Sequence, residues 1–170
     1  MKKFIKPLVL FLIVITAGCG YHFVKVSGEV PPDVRNVYIP PFKNLTGESD
    51  IGFVVAAALS RQFIKTGMFV PSNKEDADAE IIGVIKSVKY SSRVYDNRDL
   101  ATLIRVGIVI DITFQRIGGD KIWEVKGLGY TEDFKVAGGS AVLDVNKGSA
   151  LKELADELAL EIHDRVLLGQ

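Results

Sequence analysis

Few side chains in this sequence are placed for covalent chemistry. Cys19 is the single cysteine in 170 residues and follows Thr16-Ala17-Gly18 directly. The two histidines, His22 and His163, have no companions at metal-ligand spacing, so no metal site is expected. No HExxH, GxSxG or P-loop pattern occurs, so no catalytic residues are assigned and no enzyme is expected. Gly127-Leu128-Gly129 follows no strand-to-helix turn and reads as a bulge or a close approach within a strand. Asp96 and Asp99 share one loop and read as a solvated hairpin tip rather than an acid/base pair. One cluster remains: Lys86, Lys89, Arg93, Arg98 and Arg105 fall on or near a single hairpin. Cations beside an exposed sheet face can pair with phosphates or with a protein partner. An ordinary charged surface is the other reading of the same residues.

The N-terminus sets the context for Cys19. Lys2, Lys3 and Lys6 precede an uninterrupted apolar run from Leu8 to Ile15, and small residues come next. That order is the pattern of a secretory signal. The apolar run is shorter than the roughly 17–25 residues that span a bilayer as a helix. Ala17-Gly18-Cys19 resembles the end of a lipoprotein signal, although Thr16 stands where leucine is usual. An ordinary cleaved signal with a chance cysteine is the alternative. The resemblance implies that residues 1–18 are removed and that Cys19 is lipidated, with a thioether-linked diacylglycerol and an N-acyl chain, palmitate among them. Two or more acyl chains anchor a protein stably, whereas one is marginal. No other cofactor is expected.

The mature chain then carries 18 basic against 21 acidic residues, a formal net charge of −3. That balance implies neither a polybasic tail nor a nucleic-acid surface, so no nucleic-acid partner is expected. With its only thiol acylated, the chain has no internal disulfide, and the fold must stand on packing. A hydrophobic content of 48% is enough for one real core.

The periodicities place these residues on elements. Residues 19–33, with Gly20, Gly28, Pro31 and Pro32, read as a lipidated tether. Residues 34–170 read as a single domain. Asn36 to Ile39 is a strand stopped by Pro40-Pro41, and Phe42 to Asp50 is a polar loop. Ile51, Val55, Ala58, Leu59 and Phe63 recur at helical spacing, with Ser49 or Asp50 as the cap and Gly67 as the stop. Met68-Phe69-Val70 is a candidate short strand. Ile82, Val84, Val88 and Tyr90 share one parity of a long strand. Ile104, Val106, Ile108, Ile110, Ile112 and Phe114 form an alternating row, with Arg105, Asp111, Thr113 and Gln115 on the other face. Gly118-Gly119-Asp120 turns into a last strand, Ile122 to Phe134, in which Trp123 either faces a partner or covers a sheet edge. Leu151, Leu154, Leu158, Ile162 and Val166 stripe a C-terminal helix capped by Ser149, with an irregular turn over 140–148. The expected fold is α+β: a two-layer sandwich with a mixed, mostly antiparallel sheet of about four strands and two helices on one face.

Cys19-Gly20-Tyr21-His22-Phe23 is similar to the opening of the lipopolysaccharide-assembly lipoproteins, the LptE family. Val37-Tyr38-Ile39 followed by Pro41-Phe42, then Asn44, Thr46 and an amphipathic helix, agree with the family in order. So do Ala77-Asp78-Ala79-Glu80 leading into a long strand, and the C-terminal Ala/Leu helix. The resemblance implies a mixed sheet with two helices packed on it. It also implies anchoring at the periplasmic side of the outer membrane, with Gly20 after the cysteine permitting passage there. The implied partners are the β-barrel LptD, whose lumen such a lipoprotein plugs and whose assembly it helps, and lipopolysaccharide, which the pair delivers to the outer leaflet. The hairpin has no sharp motif on which to align the family's ligand residues.

A second group stays open. Val37 to Asn44, a helix, and Gly67-Met68-Phe69-Val70 also resemble lipoproteins that activate peptidoglycan synthases or serve secretion channels. The Cys-Gly-Tyr-His opening and the long strands favour the first resemblance.

Overall fold

A computed structural model describes residues 31–95, 101–136 and 140–168. The signal, Cys19, His22 and most of the tether lie outside them, as do Asp96, Arg98 and Asp99. The elements run β1 (Asn36–Tyr38), β2 (Lys43–Asn44), α1 (Ile51–Thr66), β3 (Val70–Pro71), a 3-10 turn, β4 (Ala79–Tyr95), β5 (Ala101–Arg116), β6 (Lys121–Lys135) and α2 (Ser140–Leu168). They form one six-stranded sheet in the order β3-β1-β4-β5-β6, with β2 also on β4. The short strands β1, β2 and β3 pair in parallel, and β4-β5-β6 is an antiparallel meander. The α+β class, the mixed sheet and the two helices on one face agree with the expectation. β2 falls where a loop is expected, so the sheet has more strands than the four anticipated. It is two residues long, too short for any alternation to show.

α1 forms because Ile51, Val55, Ala58, Leu59 and Phe63 make one buried stripe. Asp50 holds the cap position at φ 58° with its carbonyl, which accepts the N–H groups of Phe53 and Val54 at 2.9 and 3.0 Å; its side chain makes no cap bond. α1 is the crossover that parallel pairing of β1 and β3 requires. α2 runs parallel to α1 beside it. Phe53 lies near Leu151, Arg61 bonds Asp156 at 2.7 Å, and the Phe63 ring lies 6.0 Å from that of His163.

α2 begins at Ser140, so Ser149 lies inside the helix and residues 140–148 are not an irregular turn. Those first turns lack a clean apolar stripe and are held by tertiary contacts. The Asn146 amide donates to the Lys135 carbonyl at 2.9 Å, and the Lys147 ammonium pairs with Glu48 at 2.9 Å. Glu48 in turn accepts the Tyr90 hydroxyl at 2.5 Å. Burial first, and then that carboxylate, push the Tyr90 phenol well above its ordinary pKa.

The alternating row on β5 is buried from Val106 through Phe114. On β4 the single-parity reading is corrected. Ile81 and Ile85 enter the core, followed by Val88 and Tyr90, while Ile82 and Val84 fall on the opposite face. The cause is a bulge: Ile85 faces Ile110 but Ser87 faces Val109, leaving Lys86 extra and reversing the alternation. β6 changes parity in the same way. Val125 faces Ile112 and Leu128 faces Ile110, so Lys126 and Gly127 together oppose Asp111. Gly127 takes φ 68°, which glycine accepts without cost, and this is the bulge anticipated there. Trp123 therefore points inward beside Phe114 and is 8% exposed, so of its two readings the structure takes the second: it covers the core at the β6 edge.

Candidate functional site: the helix-free face of the sheet

With both helices on one face, the other face of β4-β5-β6 is left bare. Residues directly paired across strands share a face. The register puts Ile82, Val84, Ser87, Lys89 and Ser91 of β4 beside Thr113, Asp111, Val109, Gly107 and Arg105 of β5. On the other side of β5, Thr113, Val109, Gly107 and Arg105 meet Glu124, Gly129, Thr131 and Asp133 of β6.

Asp111 organises the middle of this face. One carboxylate oxygen accepts the Gly127 N–H at 2.9 Å, and the other pairs with the Lys86 ammonium at 2.9 Å. A single acid on the central strand thus ties together the bulges of both neighbours. The Gly127 hydrogen bond first, then Lys86, hold its pKa below the ordinary carboxylate value. Nearer the hairpin end, Arg105 forms a bidentate pair with Asp133 at 2.6 and 2.7 Å, which lowers the Asp133 pKa. Between the two pairs lies a shallow depression of about 220 Å³, where Gly107 and Gly129 leave backbone bare between Lys89, Val109 and Thr131.

Four of the five cations expected to cluster are described. Lys86 and Arg105 are on this face but neutralised by Asp111 and Asp133. Lys89 is exposed on the same face with no ion pair among the described residues. Arg93 is exposed at an irregular step of β4 and acts on Asp133 through its charge. Arg98 lies outside the described residues. Sequence reading missed Asp111 and Asp133, and their lone signal was position: each stands opposite a basic residue once the register is known.

Away from this face the chemistry is sparse. Among the described residues no group of three or more His, Cys, Asp or Glu could hold a metal ion. His163 is packed in the core with Nδ1 against Asp164 at 2.9 Å and Nε2 buried without a partner. Among the described residues, no helix is long and apolar enough to cross a membrane.

The carboxylates at the sheet ends carry a pH prediction. Asp78 accepts the N–H groups of Asn36 and Arg35 at 2.7 and 3.0 Å, and Asp33 forms a bidentate pair with Arg116. Asp33, Asp78, Asp111 and Asp133 all have lowered folded-state pKa values. Their contribution is complete above the unfolded carboxylate value of about 3.9 and is lost as pH falls through the lower folded values. Thermal unfolding from neutral pH downward should show a midpoint that declines below roughly pH 4, less steeply in Asp78→Asn. An acid limb of equal steepness in that variant would show that Asp78 is not part of the effect.

A two-layer α+β sandwich with a long meander, one bare sheet face and no catalytic cluster among its described residues is a scaffold for binding. The same fold occurs in a lipoprotein of Caulobacter crescentus (10% identity, TM-score 0.54, covering 75% of this chain and 88% of that one). It occurs also in the protein CT253 of Chlamydia trachomatis (12%, TM-score 0.52, 80% and 97%) and in a minor lipoprotein of Acinetobacter baumannii (10%, TM-score 0.50, 81% and 93%). No curated protein matches the sequence. Residues 34–166 match the lipopolysaccharide-assembly family LptE, and the chain belongs to that family.

Proposed function

We propose that this chain is an outer-membrane lipoprotein, cleaved after residue 18 and acylated on Cys19, that faces the periplasm. In this reading it plugs the LptD β-barrel, helps it to assemble, and takes part with it in delivering lipopolysaccharide to the outer leaflet. It binds and positions rather than catalyses. The observation that carries the reading is the family match over residues 34–166, nearly the whole sandwich. The helix-free face supports it. That face is polar and laced with ion pairs, and the lumen of an outer-membrane barrel is itself polar. Lys89 and Arg93, with Arg98 and the paired Lys86 and Arg105, supply cations for lipopolysaccharide phosphates. The same family match weighs against the peptidoglycan-synthase activator reading.

The test is a mild-detergent pulldown of the C-terminally tagged full chain from outer membranes, with the co-purifying proteins identified by mass spectrometry. One large β-barrel at equal stoichiometry is expected. Recovery of a peptidoglycan synthase, or of no barrel, would overturn the plug reading.

A further inference from the structure

α1 is apolar on two sides. Its inner stripe is the core. Its outward strip carries Phe53 and Ile64, 63% and 66% exposed, with Ala57 and Ser60 between them at helical spacing. The first ten residues, Ile51 to Ser60, include no charge, and α1 as a whole has no acidic residue. A helix apolar all round is normally buried on all sides. Here it forms the outer layer of a two-layer sandwich. Open apolar clefts flank the strip on both sides. One, of about 310 Å³, lies between Phe53, Val54, Ala57 and Leu151; the other, of about 330 Å³, lies between Phe53, Ala57, Ile39 and Pro41. The cations bordering the strip are Arg61 and Lys65 of α1 and Lys152 of α2.

We propose that the outward face of α1 docks on the phospholipid surface of the membrane that holds the lipid anchor, seating Phe53 and Ile64 at the acyl–headgroup boundary. This rests on the reading of Cys19 as the anchored residue. Pro31, where the described chain begins, is twelve residues beyond Cys19, and that length reaches at most about 40 Å when extended. The bilayer is therefore the apolar phase held permanently within reach. Charge favours it as well. Arg61 and Lys65 can lay their aliphatic stems along the strip and extend their heads to lipid phosphates, with no carboxylate on α1 to oppose them. The polar barrel lumen is a poor cover for the same strip. The helix-free face, on the other side of the sheet, stays free while α1 lies on lipid.

The full lipidated chain carrying Phe53→Trp is placed in phosphatidylethanolamine–phosphatidylglycerol vesicles, with and without brominated acyl chains, beside the parent chain. Trp123 is in the core, so the parent serves as the unquenched reference. Docking predicts blue-shifted added emission that brominated lipid largely removes, and loss of both effects when Ala57→Glu is added. The intact mass of the same sample reads the acylation of Cys19 separately. An acylated, vesicle-bound chain whose added emission is unquenched overturns the docking and leaves the anchor standing. A chain without acyl mass overturns the anchor reading and the proposal with it. Emission that shifts only as protein density in the vesicle rises would identify a second copy as the cover and overturn lipid docking.

Discussion

Gly83→Ala is expected to destabilise the domain by about 3–5 kcal/mol, the cost of evicting a core phenylalanine. A methyl at Gly83 would lie 2.0 Å from the Phe42 ring, nearer than any real contact. Phe42 is 3% exposed and has no room to turn aside. Its backbone is fixed too: the Phe42 N–H donates to the Gly52 carbonyl at 3.0 Å, and a methyl at Gly52 would meet the Phe42 oxygen at 2.1 Å. Two glycines from β4 and α1 thus enclose one residue, joining the β1–α1 loop to the sheet. Phe42→Ala alone should cost a similar amount, and the double variant Gly83→Ala/Phe42→Ala should cost much less than the sum, because the new methyl occupies space the ring has left. Urea unfolding of the three variants measures this. Additive losses would mean that the ring and the glycine do not share that space.

Lys89→Glu/Arg93→Glu should weaken binding of purified lipopolysaccharide at least about tenfold, because a charge-assisted hydrogen bond to phosphate contributes roughly 1.5–3 kcal/mol. The thermal midpoint should barely move, since neither side chain has an ion-pair partner among the described residues. Arg105→Glu is a less selective probe. It sets a carboxylate against Asp133 and removes a bidentate pair, so binding and stability should fall together. Unchanged lipopolysaccharide affinity in the Lys89/Arg93 variant would remove these cations from the site and turn attention to the bare backbone at Gly107 and Gly129.

The periodicities showed much of this architecture. The helical spacing of Ile51, Val55, Leu59 and Phe63, and the alternation from Ile104 to Phe114, are local signals that burial preserved. Where alternation was broken, reading failed. On β4, Ile82 and Val84 read as companions of Val88 and Tyr90, but the extra residue Lys86 put them on opposite faces. On β6 the same effect sent Trp123 inward. The glycine at 127 pointed to one bulge because glycine is conspicuous; Lys86 looks like any lysine, so the other was invisible. The start of α2 was misplaced because Asn146 and Lys147 are held by Lys135 and Glu48, partners distant in sequence.

Composition and motif order carried the family, the sandwich class and the expected lipid anchor, since these depend on residue types and their succession along the chain. The tertiary structure was needed for the charge state of the basic cluster. Lys86 and Arg105 lost their availability to Asp111 and Asp133, while Lys89 and Arg93 kept theirs. It was needed equally to find that α1 presents apolar surface outward. Both turn on which residues face one another across strands and helices. Register sets that, and bulges and packing set register.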